Sequence, residues 1–236
     1  MREYRASSGP FERRLSFQTD EIDEMCLEAL QKGGFLPTKP GPIRIDRFVE
    51  KYFQCNTGYE DLPNGVMGYT LFDKSGKAIQ VRIAEKLEDG HQASDRRVRS
   101  TWAHEGGHCL LHPTLFIETP GQPIFSETEG KNSNIEGRRI LCRENDIRPA
   151  SRQYSGRWWE WQANRCIGGF LLPKSLVTNA LTGLLVDSVV TRSPTLPLAR
   201  RTEAEKLLSS TFEVNPIVAR IRLGEMFPDS KGQMEF

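Results

Sequence analysis

The segment TWAHEGGHCLLH, residues 101–112, holds three of the four histidines of the chain and sets His104 and His108 four residues apart. On an α-helix such residues lie about 40° apart around the axis and one turn along it, so both imidazoles face one point in space. The spacing therefore asks for a helix. Yet Gly106 and Gly107 stand between the histidines, and each helical glycine costs roughly 1 kcal/mol relative to alanine. Glu105 falls on the adjoining side, where its carboxylate can reach a metal-bound water without becoming a ligand. This is the H-E-x-x-H arrangement, in which two neutral imidazoles hold Zn²⁺ and the glutamate acts as general base. Zinc lowers the pKa of its water to about 7, and Glu105 would take that water's proton during attack on a carbonyl and hand it to the leaving amine.

A catalytic zinc needs a third protein ligand and an open position. His112 is eight residues after His104, rotated about 80° off the shared face, and is expected to support the site rather than bind the metal. The longer H-E-x-x-H-x-x-G-x-x-H form lacks both its glycine and its last histidine here. The alternative is an acid on a second helix, and Glu160 in WWEWQAN is the candidate. Asn164, four residues further on the same face, could accept the free ring N–H of a liganding histidine. Glu118, Glu127, Glu129, Glu136 and Glu144 read as solvated surface groups. Tyr154 and Arg157 are possible donors to a developing oxyanion, and His91 reads as a surface residue. Cys142 could approach the metal as an inhibitory thiolate, although a small buried residue is the plainer reading.

Residues 1–18 carry charge without apolar period and read as a flexible N-terminal segment. A helix follows from Thr19, capped by Thr19 or Asp20, with Ile22, Met25, Cys26 and Leu30 on one stripe and Gly33-Gly34 as its stop. A short helix over IRIDRFVEKYF and two strands, GVMGYTLF and KAIQVRIA, come next, the strands joined by DKSG as a hairpin. Its edge could hold an extended peptide by strand addition. The metal-bearing helix starts near Arg97 to Ser100 and stops at Pro113. Residues 113–157 read as a long insertion loop, and RWWEWQANRCIGGFLL as the second metal-bearing helix, with Trp158, Trp159 and Trp161 anchoring it in the core. The division is a zinc peptidase-like domain over 19–176 and a C-terminal helical unit over 177–236, two of whose helices flank FEVNP. The fold class expected is α+β with a small antiparallel sheet.

Lys and Arg number 32 against 31 acids, so a net charge of +1 exerts no long-range pull on nucleic acid or anionic lipid. No apolar run reaches the length of a bilayer span. The basic start lacks the apolar middle of a secretory signal, and five cysteines without a C-x-x-C pair suit reduced thiols, so a cytoplasmic protein is expected.

With RVRSTWAHEGGHCLLH and EWQANRCIGGFLLP both in view, the chain resembles the ImmA/IrrE family of zinc-dependent endopeptidases, over roughly residues 20 to 173. The resemblance implies a zincin-like core with one Zn²⁺ on His104, His108 and Glu160, and Glu105 as base. It also implies a protein substrate, a helix-turn-helix repressor or an antitoxin. An alternative is a regulatory or toxin–antitoxin partner protein that keeps the zinc fold and binds its target without cleaving it. Gly106 departs from the family's apolar residue, and Cys166, Ile167, Gly168 and Gly169 stand where Phe and small alanines are usual. The glycines of both metal-bearing helices are expected to let their backbones pack unusually closely.

Overall fold

The computed structural model describes residues 2–5, 11, 13–117, 135–136, 138–147, 157–187 and 194–228. The described residues among 1–18 pack against the body in a way their charge pattern does not imply. Strand β1 (Arg2–Arg5) pairs antiparallel with β2 (Arg13–Ser16), and Phe11, Leu15 and Phe17 are buried. Phe11 sets its ring edge-on against Phe116 and Trp159, at 5.7 and 5.3 Å between centroids. Three apolar residues spaced irregularly among arginines give no period to read, yet they supply enough aromatic contact to seat the arm.

Helix α1 (Thr19–Gly33) is capped one residue earlier than expected, by Gln18, whose backbone N–H donates to the Glu21 carboxylate at 2.7 Å in a capping box. Ile22, Cys26 and Leu30 are its buried stripe, and Gly34 ends it with φ +72°, a left-handed conformation glycine adopts without strain. Helix α2 (Ile45–Phe53) buries Ile45, Phe48 and Val49. Then come β3 (Asn56–Glu60), β4 (Val66–Phe72) and β5 (Ala78–Ala84). The turn between β4 and β5 is held by the Asp73 carboxylate, which accepts from the backbone N–H groups of Ser75 and Lys77.

Helix α3 (Gln92–Leu111) begins before the expected start near Arg97, because its first turns are polar and exposed and show no apolar period. From Thr101 through Cys109 every residue is buried. The motif thus runs through the middle of the molecule, between the sheet on one side and α2 and α5 on the other.

The stretch 113–157 contains secondary structure where a loop was expected. It contributes β6 (Ile135–Glu136), β7 (Arg139–Arg143) and the single turn α4 (Glu144–Ile147). Helix α5 (Trp158–Leu171) follows, then α6 (Lys174–Ala180), the short pair β8 (Val186–Asp187) and β9 (Pro194–Thr195), and finally α7 (Arg201–Thr211) and α8 (Pro216–Met226). The main sheet has the order β3-β5-β4-β7-β6, with β3 parallel to β5 and the other pairs antiparallel. It is therefore mixed rather than antiparallel, and both strands of the β4–β5 hairpin lie inside it. The free hairpin edge expected for peptide binding is taken up by β3 on one side and β7 on the other.

One hydrophobic cluster joins the arm, the sheet, α1–α3, α5 and α6 with Ala204, Leu208, Phe212, Ala219 and Leu223 of the C-terminal helices. Arg222, 1% exposed, pairs with Asp23 of α1 at 2.9 Å and donates to the Leu172 carbonyl at the same distance, fixing α8 to the body. Trp158 and Trp159 are buried as expected; Trp161 is not, standing 39% exposed under the Arg165 guanidinium. Among the described residues, no helix is long and apolar enough to cross a membrane, and all five cysteines are free and buried.

Candidate metal centre

Helices α3 and α5 cross with His104, His108 and Glu160 turned toward each other. His104 Nε2 stands 3.0 Å from His108 Nε2 and 3.1 Å from Glu160 Oε2, and the third side of the triangle, His108 Nε2 to Glu160 Oε2, is 3.7 Å. Ligands at about 2.0–2.1 Å from a tetrahedral zinc are about 3.3 Å from one another. The three separations bracket that value. All three residues are buried, and together they form a group able to hold a metal ion.

Two hydrogen-bonded relays fix the imidazoles in this pose. Asn164 donates through Nδ2 to the Asp146 carbonyl at 2.6 Å, which leaves its Oδ1 to accept from His104 Nδ1–H at 2.9 Å. On the other side Gln162 donates to the Leu15 carbonyl at 2.7 Å, so its Oε1 accepts from His112 Nε2–H at 3.0 Å. Burial and the neighbouring His108 push His112 down to about 3, so it is neutral and its Nδ1 can only accept, here from His108 Nδ1–H at 3.0 Å. With Nδ1 protonated, each neutral ligand imidazole presents its Nε2 lone pair to the centre. His112 and Asn164 thus each hydrogen-bond one of the two imidazoles. Leu15, Gln162 and Asp146 were not anticipated; a glutamine among the apolar residues of α5 was the one available signal.

Electrostatics make the same point. Burial lowers His108, and it would lower His104 too, but Cys142 and Glu160 hold His104 well above its ordinary value. Burial would raise Glu160, yet His108 and His104 hold it well below the usual carboxylate range. Both directions favour an imidazolium–carboxylate pair between His104 Nε2 and Glu160 Oε2, 3.1 Å apart, in the metal-free chain. Glu160 Oε1 and Glu105 Oε1 are buried with no hydrogen-bond partner among the described residues, which fits a donor set meant for a cation and its water. No protein-family model matches this chain, and no curated protein matches it.

Glu105 is fully buried, and burial raises it to about 8 against the opposing pull of His104 and Thr70. The Thr70 hydroxyl donates to its Oε2 at 2.6 Å, and Oε1 has no partner among the described residues. That contact was missed in the sequence because the run VMGYTLF is apolar on both faces. Gly68 has to be small: a Cβ there would stand 3.0 Å from Glu105 Oε1 and 2.8 Å from the Arg82 carbonyl. The helix glycines divide. Gly107 faces α5, where a Cβ would lie 2.8 Å from Cys166 Cβ and 3.1 Å from Ala163 Cα, so here the backbones do approach closely. Gly106 faces α2, where the nearest atom is the Val49 side-chain methyl at 3.1 Å, so the close backbone approach expected there is not found. Arg157 pairs with Asp146 at 2.6 Å, and His91 is an exposed residue at the start of α3. Glu144 is half-buried at the start of α4, while Glu118, Glu127, Glu129 and Tyr154 lie outside the described residues.

Proposed function

We propose that the chain is a zinc-dependent endopeptidase on a zincin-like core, acting in the cytoplasm on a protein substrate such as a helix-turn-helix repressor or an antitoxin. The observation that carries the reading is the meeting of two tautomer-fixed imidazoles and a carboxylate at tetrahedral spacing, beside a second carboxylate with a free oxygen. His104, His108 and Glu160 would hold the ion. Zinc in such a setting lowers the pKa of a bound water and polarises a carbonyl.

The rest of the chemistry belongs to the chain. Glu105 takes the water's proton on Oε1, while Thr70 holds Oε2 and so fixes the carboxylate plane. Asn164 and His112 hold the ligand rings in their tautomers. The resemblance of the two motif helices to the ImmA/IrrE pattern supports the substrate class.

A second reading is favoured by one observation. Strand β4, beside the histidines, is paired along both edges, which suits a partner protein that keeps the metal and binds its target without cutting. Glu105→Gln separates the two. The purified chain is mixed with a candidate helix-turn-helix repressor or antitoxin, and cleavage and binding are followed together with zinc content. A peptidase loses cleavage in the variant while retaining zinc and binding. Absence of zinc uptake by the parent chain sinks both readings.

A further inference from the structure

The relay that orients His108 ends on the N-terminal arm, and that end gives it a direction. His108 Nδ1 stands 3.0 Å from His112 Nδ1, His112 Nε2 stands 3.0 Å from Gln162 Oε1, and Gln162 Nε2 stands 2.7 Å from the Leu15 carbonyl oxygen. A carbonyl oxygen only accepts, so Leu15 obliges the Gln162 amide to turn its N–H groups to the arm and its oxygen to His112. That oxygen calls for hydrogen on His112 Nε2, which leaves His112 Nδ1 to accept from His108 Nδ1–H. The His108 Nε2 lone pair then faces His104 and Glu160. Without Leu15 at its end the same chain can run backwards. A Gln162 amide turned over would donate to His112 Nε2, His112 would carry its hydrogen on Nδ1, and His108 on Nε2, where it covers the lone pair a metal needs. Both rings stay neutral in either direction, so no proton is gained or lost. The arm also reaches His112 by packing: Phe11 lies against Trp158 at 6.0 Å between ring centroids, and Trp158 stands edge-on to His112 at 5.9 Å. Strands β1 and β2 form a sheet of their own with all of β1 exposed, and a two-stranded ribbon by itself is marginally stable in water. Its attachments to the body include the buried Phe11, Leu15 and Phe17, the Arg13 guanidinium on the Thr114 carbonyl at 2.9 Å, and the Gln162 amide on Leu15.

We propose that the arm is a working part of the metal centre: a divalent ion on His104, His108 and Glu160 and a docked β2 hold each other in place. The proposal rests on the metal reading above and adds a coupling that the reading does not require. The ion takes the His108 Nε2 lone pair and so selects one direction of the chain. That direction is the one in which Gln162 offers its N–H to the Leu15 carbonyl. Coupling of this kind is reciprocal, so the factor by which a docked arm raises metal affinity is the factor by which the ion favours docking. The N-terminal arm therefore both sets metal occupancy and responds to it.

The test is amide hydrogen exchange of the full chain, followed by mass spectrometry with and without Zn²⁺. An ion stabilises the whole of a protein that binds it, so the arm is read against α7 and α8, which carry no ligand. Zinc is expected to slow exchange in β2 about tenfold more than in those helices. Gln162→Leu should lose that extra protection at saturating zinc. Zinc uptake with no more protection in β2 than in α7 and α8 overturns the coupling and leaves the peptidase reading intact. Extra protection surviving in Gln162→Leu overturns it too, since the relay would not carry it, and no zinc uptake overturns both readings. Should that variant fail to fold, Phe11→Ala gives the reciprocal measurement, because its ring touches neither a ligand nor the amide. Loosening the arm there should weaken zinc binding about tenfold in a chelator competition, and parental affinity with a loosened arm refutes the proposal.

Discussion

Alanine at Gly107 and alanine at Gly106 should act in opposite directions, although the residues are neighbours on α3 and each gains about 1 kcal/mol of helix propensity. At Gly106 the new methyl meets the Val49 methyl at 3.1 Å and the Phe170 ring at 3.5 Å, both ends of side chains that can yield by tenths of an ångström. The expected outcome is a protein as stable as the parent or more so, by up to about 1 kcal/mol. At Gly107 the methyl meets Cys166 Cβ at 2.8 Å and the Ala163 Cα and carbonyl oxygen at 3.1 Å, which are fixed to the backbone of α5. Carbon pairs settle at about 3.5–4.0 Å, so α5 must retreat by about 0.7 Å. Overpacking of this kind costs typically 1–3 kcal/mol, and contact with backbone places it at the upper end, for a net loss of about 2 kcal/mol after the propensity gain. For a chain of this length that is a fall in Tm of about 4–8 °C.

The same displacement reaches the site, because α5 carries Glu160. Ligand positions tolerate about 0.2 Å, so zinc affinity in Gly107→Ala should fall about tenfold or more, while Gly106→Ala keeps the parental value. Urea unfolding of the metal-free proteins and zinc competition against a fluorescent chelator measure the two effects separately. A Gly107→Ala protein with parental stability and parental zinc affinity would refute the close-packing argument, since no flexible side chain is present there to give way.

Four further outcomes follow from the site and its supports. Gln162→Leu breaks the relay from Leu15 to His108 without touching a ligand and should weaken zinc binding by about 10–100-fold; an unchanged chelator titration would show that the relay does not orient His108. Thr70→Val leaves the buried Glu105 carboxylate unpaired and should cost about 1–3 kcal/mol in urea unfolding with zinc content retained, so an unaffected midpoint counts against the 2.6 Å bond. Phe11→Ala, removing a ring packed on Phe116 and Trp159, should cost about 3–5 kcal/mol; a loss under about 0.5 kcal/mol would return residues 1–18 to a loose segment. His104 is held well above its ordinary value in the metal-free chain, so binding must displace a proton, and zinc affinity should fall about tenfold per unit as pH drops below that raised value. Calorimetry in buffers of differing ionisation enthalpy would detect the released proton, and its absence would contradict the imidazolium–carboxylate pair between His104 and Glu160.

What was legible in the sequence was local. His104 and His108 are fixed by one helix turn, and Glu160 and Asn164 by another, so the four side chains could be paired before any tertiary contact was known. What was illegible was carried by segments with little periodic signal. Strand β7 is RILCR, five residues between polar neighbours, and gains its identity only by pairing with β4. The arm at residues 2–17 buries Phe11, Leu15 and Phe17 at irregular spacing, so no face could be drawn. Burial of Gln162 and Thr70 follows from helix crossing and strand pairing, which residue type alone does not encode.

Those two illegible segments are the ones on which the ligand pose depends. One relay ends on the Leu15 carbonyl of β2, and the other on the Asp146 carbonyl just beyond β7. Backbone carbonyls have no side-chain identity, so these ends leave no mark in the sequence, yet each selects a histidine tautomer. A chain could therefore keep H-E-x-x-H and its distant glutamate intact and still present the wrong ring nitrogen to the metal, if either segment docked differently. The motif supplies the donors; the arm and the β7–α4 segment decide which way they point.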